Sequence, residues 1–228
     1  MNIAVVLAGG SGTRLGSALP KQFLEIEGKP IIAYTIEAFQ KNPRIDEIVV
    51  VSRAENVDLM WDIVHRFHYE KVSRVLLGGK ERYDSSLAAI AAYDHPDDVL
   101  LLHDGVRPLV SQQIIDRCLE AMANYNAVGV AVKTTDTIVE VDQQGCIVAT
   151  PPRSSLRNMQ TPQCFRLGVI RKAYEMALRD PAFVTTDDCG VVAKYLPEEP
   201  VFIVEGEPTN IKVTYKEDLA LMRQHISL

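Results

Sequence analysis

IAVVLAGGSGTRLGSALPKQFL, residues 3–24, decides how the rest of the chain is read. Ile3, Val5, Val6 and Leu7 make a short, nearly unbroken apolar run, the pattern of a strand buried on both faces of a parallel sheet. The run opens directly into Gly9, Gly10, Gly12 and Gly16. Glycines at the carboxyl end of a buried strand let the backbone turn sharply and bring its N–H groups close to a ligand. Phosphate satisfies such a nest best. Arg14 lies inside the loop and Lys21 follows Pro20, so fixed positive charge faces the negative charge that builds on a phosphoryl group during displacement.

The spacing excludes two common phosphate loops. A P-loop needs Lys-Ser or Lys-Thr directly after its last glycine, and a dinucleotide fold needs G-x-G-x-x-G running into a helix. Here Gly10-Ser11-Gly12 starts a G-x-G, but position 15 is Leu and Ser17 to Pro20 is a poor helix start. The sequence L-A-G-G-x-G-T-R-L-G followed by P-K-Q-F-L instead resembles the signature of nucleotidyltransferases that join a nucleoside triphosphate to a sugar phosphate. The bland alternative is a glycine-rich turn with incidental surface cations. Four glycines, an arginine and a lysine clustered after one strand weigh against it.

Outward from this stretch, strands alternate with helices. A helix starts at Lys29-Pro30 with Ile32, Ile36 and Phe39 on one face, and strands follow at residues 48–51, 72–77, 99–102 and 128–132. Helical spacing recurs over about 55–67, after Arg82, and over 112–125. This alternation specifies a mostly parallel sheet covered on both faces, a Rossmann-like α/β fold of one domain over residues 1–228. Ligands of such sheets gather outside the carboxyl ends of the strands. Two further ends carry chemistry: Gly78-Gly79-Lys80-Glu81-Arg82 with Ser85, where helix N–H groups can hold a nucleobase edge, and His103-Asp104-Gly105-Val106-Arg107-Pro108. Asp104 is read as orienting a substrate hydroxyl or helping to hold magnesium, and Arg107 as setting Asp104 or touching phosphate. A surface ion pair is the plain alternative.

The pattern changes after the fifth strand. Residues 137–141 and 146–149 read as a hairpin around Asp142-Gln143-Gln144-Gly145, with little core to pack on. It is expected to project as a β-arm over about 135–165 and to meet a second copy of the chain. Thr185-Thr186-Asp187-Asp188 is read as a helix cap rather than a metal pair, with Thr186 still able to reach substrate. Asn210 to Thr214 is a turn that brings a further cation, Lys212, to the phosphate site, and Thr214-x-x-Glu217 is a capping box for the last helix. His65, His68, His95 and His225 fall at irregular spacing and are read as surface or helix-face residues.

Composition narrows the classes. Of 228 residues 24 are Lys or Arg and 30 Asp or Glu, a formal net charge of −6 that speaks against broad nucleic-acid binding and requires any phosphate to be held by a local cation cluster. Cys118, Cys146, Cys164 and Cys189 are spread without C-x-x-C, arguing against zinc or a disulfide framework and for a reducing, cytoplasmic setting. No apolar run has the length of a membrane span or the flanks of a signal peptide, so no membrane partner is expected.

Taken together these motifs resemble the polyol-phosphate cytidylyltransferase family, whose members act on methylerythritol phosphate or ribitol phosphate. The likeness spans nearly the whole chain: the first loop with Pro20-Lys21-Gln22-Phe23, the Gly78–Arg82 turn with Ser85, His103 to Pro108, Asp136-Thr137, Arg153, Gln160-Thr161-Pro162-Gln163, Thr186-Asp187, and Asn210 to Thr214. The resemblance implies that Arg14, Lys21 and Lys212 are catalytic cations, with Arg14 and Lys21 at the α-phosphate as pyrophosphate leaves. Ala8, Gly9, Gly10, Gly79 and Ser85 would cradle CTP and read cytosine. Asp104, Arg107, Thr137, Arg153, Thr161, Thr186 and Lys212 would form the sugar-phosphate side, with Mg²⁺ as cofactor and Asp104 as its candidate ligand. It also implies a homodimer in which Thr137 and Arg153 serve the neighbouring site. Methylerythritol phosphate is the first choice of acceptor and ribitol 5-phosphate the second. A non-catalytic nucleotide-binding regulator is the reading from another class, and a molybdopterin nucleotidyltransferase fits Pro20-Lys21-Gln22 and the arm poorly.

Overall fold

The computed structural model of the chain describes residues 1–10 and 19–226. Its elements run β1 (Asn2–Leu7), α1 (Ile31–Lys41), β2 (Glu47–Ser52), α2 (Val57–Arg66), β3 (Val72–Leu77), α3 (Arg82–Ala91), β4 (Val99–Asp104), α4 (Gln112–Ala121), β5 (Ala127–Lys133), β6 (Arg157–Arg166), α5 (Leu167–Ala177), α6 (Asp188–Tyr195), β7 (Val201–Glu205) and α7 (Lys216–Ile226). Two small antiparallel pairs stand apart, Glu25–Ile26 with Lys29–Pro30 and Glu140–Val141 with Ile147–Ala149. Among the described residues the main sheet has seven strands, ordered β7-β5-β6-β4-β1-β2-β3. β1 pairs in parallel with β2 and β4, β2 with β3, and β5 with β7. β6 alone runs antiparallel, between β4 and β5. The expected mostly parallel α/β sheet is therefore present.

The unbroken apolar run of β1 has a simple cause. Successive side chains leave a strand on opposite faces, and here both faces are covered. Ala4 and Val6 pack with Ile32, Ile36 and Phe39 of α1 and Met60 of α2. Ile3, Val5 and Leu7 pack with Ala89 and Ile90 of α3 and Ile170 and Tyr174 of α5. Each buried Val, Leu, Ile or Phe here contributes roughly 1.5–3 kcal/mol by leaving water, so a charge at Val5, which is fully buried, would break the sheet at its centre.

Strand order creates the crevice. From β1 the chain winds outward through β2 and β3, then returns to place β4 on the other side of β1. Ligands bind where the winding reverses, and at that point Leu7, the last residue of β1, lies opposite Asp104, the last of β4.

Three expectations need correction. The arm was expected over about 135–165, but Arg157–Arg166 is a strand of the main sheet, so the excursion is confined to residues 134–156. The strand was hidden because its inward residues Gln160, Thr161 and Gln163 are polar and find partners elsewhere in the chain. Second, α1 starts at Ile31, with Pro30 at the capping position. Third, α7 is capped by Asp218 rather than Glu217: its Oδ2 accepts from the backbone N–H of Thr214 at 2.7 Å and Tyr215 at 2.8 Å. The capping role of Asp187 is as expected, its Oδ1 accepting from Gly190 N at 2.9 Å. No helix among the described residues is long and apolar enough to cross a membrane.

Candidate active site

The described start of the loop after β1, residues 8–10, is held by contacts from other segments. Ala8 N–H still donates to Val51 O at 2.7 Å, continuing the strand one residue. Beyond it the carbonyls are taken by side chains: buried Gln22 Nε2 donates to Ala8 O at 2.9 Å and Gly10 O at 3.1 Å, and Arg53 Nε donates to Gly9 O at 2.8 Å. These three held carbonyls fix the backbone of residues 8–10 on the cleft wall. The glycine turn before α3 explains its own composition. A Cβ on Gly78 would lie 2.5 Å from Ser85 Oγ, and one on Gly79 2.5 Å from the Asp84 side chain. Only glycine lets β3 meet the first turn of α3 this closely. That turn is closed by a capping box between Glu81 and Asp84.

Asp104 is the hub. Lys212 Nζ stands 2.8 Å from its Oδ2, Arg107 Nε 3.6 Å from the same oxygen, and Arg82 Nε 3.4 Å from Oδ1. Burial by itself raises this carboxyl, but the charges of Lys212, Arg82 and Arg107 outweigh it and hold it well below the usual carboxylate range. Asp104 is thus ionised at any working pH. Behind it His103 is fully buried, its ring edge-on to Phe39 at 5.1 Å. Arg107 O can only accept, so His103 Nε2 carries the proton that bridges to it at 3.1 Å. His103 Nδ1 then accepts from the Thr161 hydroxyl at 3.0 Å, and Thr161 Oγ1 accepts from Asp104 N–H at 3.1 Å. Burial pushes the imidazole down to about 4, which keeps this neutral tautomer in place.

The turn carrying Lys212 is fastened from below. Fully buried Asn210 donates through Nδ2 to Thr161 O at 2.9 Å and Gln160 Oε1 at 3.2 Å, while its carbonyl accepts from Arg107 Nη1 at 2.8 Å. Lys21, in a turn of 3₁₀ helix, donates from Nζ to Val213 O at 2.8 Å. Lys21 and Lys212 are thereby brought to one wall.

These groups surround a cleft of about 380 Å³ beyond β1 and β4. Ala8, Gly9, Gly10, Lys21, Gly79, Ser85, Asp104 and Lys212 line it. The charged side chains on its walls are Lys21, Arg53, Lys80, Arg82 and Lys212 against Glu81 and Asp104. A chain of net charge −6 therefore carries a positive surplus where an anion would enter. Arg107 and Thr161 do not line the cleft. They stand behind Asp104 and hold it, and the Thr161 hydroxyl is spent on His103. Thr186 is exposed on a second, adjoining cleft beside Tyr83, Phe183 and Val184. Thr137 and Arg153 are exposed on the excursion, where Arg153 Nη1 donates to Thr135 O at 3.0 Å. Arg14 lies outside the described residues.

Sequence reasoning gave no individual site role to Arg82, Arg53, Gln22, His103 or Asp188, although all but Arg53 stand in the motifs quoted above. Arg82 carried a signal: a cation opening a helix just after two glycines, in the same motif as Ser85. Asp188 was read only as part of a cap, yet it is fully buried and accepts from Arg82 Nη1 at 2.6 Å. Among the described residues no three or more His, Cys, Asp or Glu cluster as a metal site.

Comparison with known proteins points to one family. The family model described as IspD, 2-C-methyl-D-erythritol 4-phosphate cytidylyltransferase, matches residues 2–227. The 2-C-methyl-D-erythritol 4-phosphate cytidylyltransferase of Thermobifida fusca is 52% identical over 224 residues, covering 96% of this chain and 90% of its own. A bifunctional ribulose 5-phosphate reductase/CDP-ribitol pyrophosphorylase of Haemophilus influenzae is 43% identical over 236 residues, covering all of this chain and 50% of its own length. Among solved structures, 4-diphosphocytidyl-2C-methyl-D-erythritol synthase from Anaerococcus prevotii superimposes with a TM-score of 0.87 at 29% identity, covering 100% of this chain and 96% of its own.

Proposed function

The chain belongs to the 2-C-methyl-D-erythritol 4-phosphate cytidylyltransferase family, and from that membership and the geometry of the cleft we propose how it transfers CMP from CTP to 2-C-methyl-D-erythritol 4-phosphate. It is a nucleotidyltransferase of isoprenoid precursor synthesis, giving the CDP-polyol and pyrophosphate. The observation that carries the mechanism is the surplus of cations around the glycine nest at the point where strand winding reverses.

An oxygen of the acceptor phosphate attacks the α-phosphorus of CTP. The new O–P bond forms as the bond from that phosphorus to the β-bridging oxygen breaks, and pyrophosphate leaves with the electron pair. The attacking oxygen is already ionised at neutral pH, so no general base is needed, and positioning with electrostatic stabilisation suffices. Neutral, buried His103 accordingly supports structure rather than proton transfer. Ala8, Gly9 and Gly10 cradle the triphosphate, while Gly79 and Ser85 read the base. Arg14 and Lys21 meet the charge that develops at the α-phosphate. Lys212 stands between that phosphate and Asp104, which orients a hydroxyl of the acceptor. Thr186 completes the rim.

Magnesium was expected at Asp104, and the donors there do not fit a protein-bound ion. Both carboxylate oxygens already face cations, and the only other acid on the cleft wall among the described residues, Glu81, closes the cap of α3. Magnesium commonly reaches such sites on substrate phosphates. The ion is therefore assigned to the bound triphosphate, where it would offset phosphate charge.

Val141, Ile147 and Val148 are each more than half exposed on the projecting hairpin, which supports a homodimer in which this apolar edge is covered by a second copy. Thr137 and Arg153 then contact the acceptor in the neighbouring site. The four free cysteines, without a disulfide among them, support a cytoplasmic location.

The test is pyrophosphate release with CTP and each polyol phosphate. Turnover with 2-C-methyl-D-erythritol 4-phosphate is expected; CTP binding with no release for either acceptor would leave only a nucleotide-binding regulator. Ribitol 5-phosphate is the second reading, favoured by the likeness over the whole chain to the CDP-ribitol enzyme. Faster release with ribitol 5-phosphate would replace the first acceptor.

A further inference from the structure

The proposed chemistry does not use the most buried acid near the cleft. Asp188 has no exposed surface, and capping does not account for it, because Asp187 caps α6. Burying a carboxylate is costly unless it is paired and hydrogen-bonded, and Asp188 is both. Its Oδ1 accepts from Tyr174 Oη at 2.6 Å, and its Oδ2 accepts from Arg82 Nη1 at 2.6 Å. Burial and the neighbouring carboxylate raise the Tyr174 phenol well above its ordinary value, so it remains a donor throughout the working range.

Arg82 is where this arrangement meets the site. A guanidinium is a rigid planar fork. Fixing Nη1 on Asp188 therefore fixes Nε, which stands 3.4 Å from Asp104 Oδ1. Tyr174 on α5, Asp188 on α6, Arg82 on α3 and Asp104 at the end of β4 thus form one continuous relay from the core to the cleft wall. A clasp that served packing alone would satisfy all its donors, since buried polar groups are almost always paired. Arg82 Nη2 is buried and makes no hydrogen bond among the described residues, although Arg82 lines the cleft.

We infer that Tyr174 and Asp188 are positioning residues of the active site: acting through Arg82, they hold Asp104 in the orientation that receives the acceptor. This rests on the reading of Asp104 as the acceptor-orienting group. Tyr174 and Asp188 do not line the cleft that Gly79, Arg82 and Ser85 line, so they act on it only through the hold of Arg82 on Asp104. The two substrates therefore respond differently when it is broken.

The experiment is steady-state pyrophosphate release, varying 2-C-methyl-D-erythritol 4-phosphate at saturating CTP and then the reverse, with thermal unfolding measured beside it. The chains are wild type, Tyr174→Phe, Asp188→Asn, Arg82→Lys and the double variant Tyr174→Phe/Arg82→Lys. Tyr174→Phe is expected to lower kcat/KM for the acceptor about fivefold and Asp188→Asn about thirtyfold, both with KM for CTP unchanged, while Arg82→Lys, on the cleft wall itself, is expected to lose about thirtyfold for the acceptor. The double variant is expected to be no worse than Arg82→Lys, because both changes cut one relay. Tyr174→Phe deletes a single oxygen and decides the matter if Asp188→Asn does not fold. Wild-type acceptor kinetics in a folded Tyr174→Phe chain, an equal rise in KM for CTP, or additive losses in the double variant would each overturn the inference. Wild type that releases no pyrophosphate with this acceptor would contradict the proposed function instead.

Discussion

The crevice and the arm are built on opposite plans. At the crevice nearly every functional side chain is fixed by another: Asp104 by three cations and a backbone contact, Lys21 by Val213 O, Gln22 by two loop carbonyls. On the arm the hydrogen bonds are local, such as Asp142 N–H to Cys146 O at 2.9 Å, and the apolar side chains face outward. The difference teaches where a site can be complete in one chain. The nucleotide side is preorganised by long-range contacts, whereas Thr137 and Arg153 sit on a segment with no core of its own.

Substitutions can break that contrast, and the largest effect is expected at Lys21. Lys21→Ala should lower kcat roughly a hundredfold to a thousandfold, about 3–4 kcal/mol of transition-state stabilisation, while the protein stays folded. Near wild-type turnover measured by pyrophosphate release would remove the lysine from the chemistry.

Next comes His103. Its folded value of about 4 lies below the ordinary 6.5, so the unfolded chain binds a proton that the folded chain refuses. Stability is full above about pH 6.5 and falls as pH drops toward 4, by about 3 kcal/mol across that window. The depressed Asp104 carboxyl acts only below it, because its contribution is lost as pH falls through a value beneath the usual carboxylate range. Denaturant unfolding from pH 7 to 4 should show this slope, and His103→Gln, which keeps a donor and an acceptor, should flatten it. An equal slope in both proteins would assign it elsewhere.

The arm should behave oppositely. Arg153→Ala is expected to cost about tenfold in kcat/KM for the acceptor, near 1.4 kcal/mol, without changing CTP affinity by calorimetry. Smallest of all, Ile147→Asn should change unfolding free energy by no more than about 0.5 kcal/mol in dilute protein, since the side chain is 66% exposed. A loss above 2 kcal/mol there would mean that the arm packs on its own chain.

The same contrast governs what could be read in advance. β1 was legible because a strand buried on both faces leaves an apolar run, and the Gly78-Gly79 turn because a Cβ at either position would meet Ser85 or Asp84. The strand Arg157–Arg166 was not, because Gln163 answers to Asp187, Asp188 and Cys189, and Gln160 to Glu207, partners that no local pattern reveals. The residues around Asp104 were legible in kind but not in role. Thr161, expected at the substrate, has its hydroxyl on His103, and Arg82, quoted with its glycine turn, shows its pairing with Asp104 only in the fold.

The most direct measurement joins the two regions in one protein. Differently tagged Lys21→Ala and Arg153→Ala chains are co-expressed, and the mixed dimer is isolated and assayed beside each parent. In a dimer whose arm serves the neighbouring crevice, one site has both residues intact, and the mixed species should recover about half of wild-type turnover while both parents stay low. A mixed dimer no more active than the average of its parents would contradict the account.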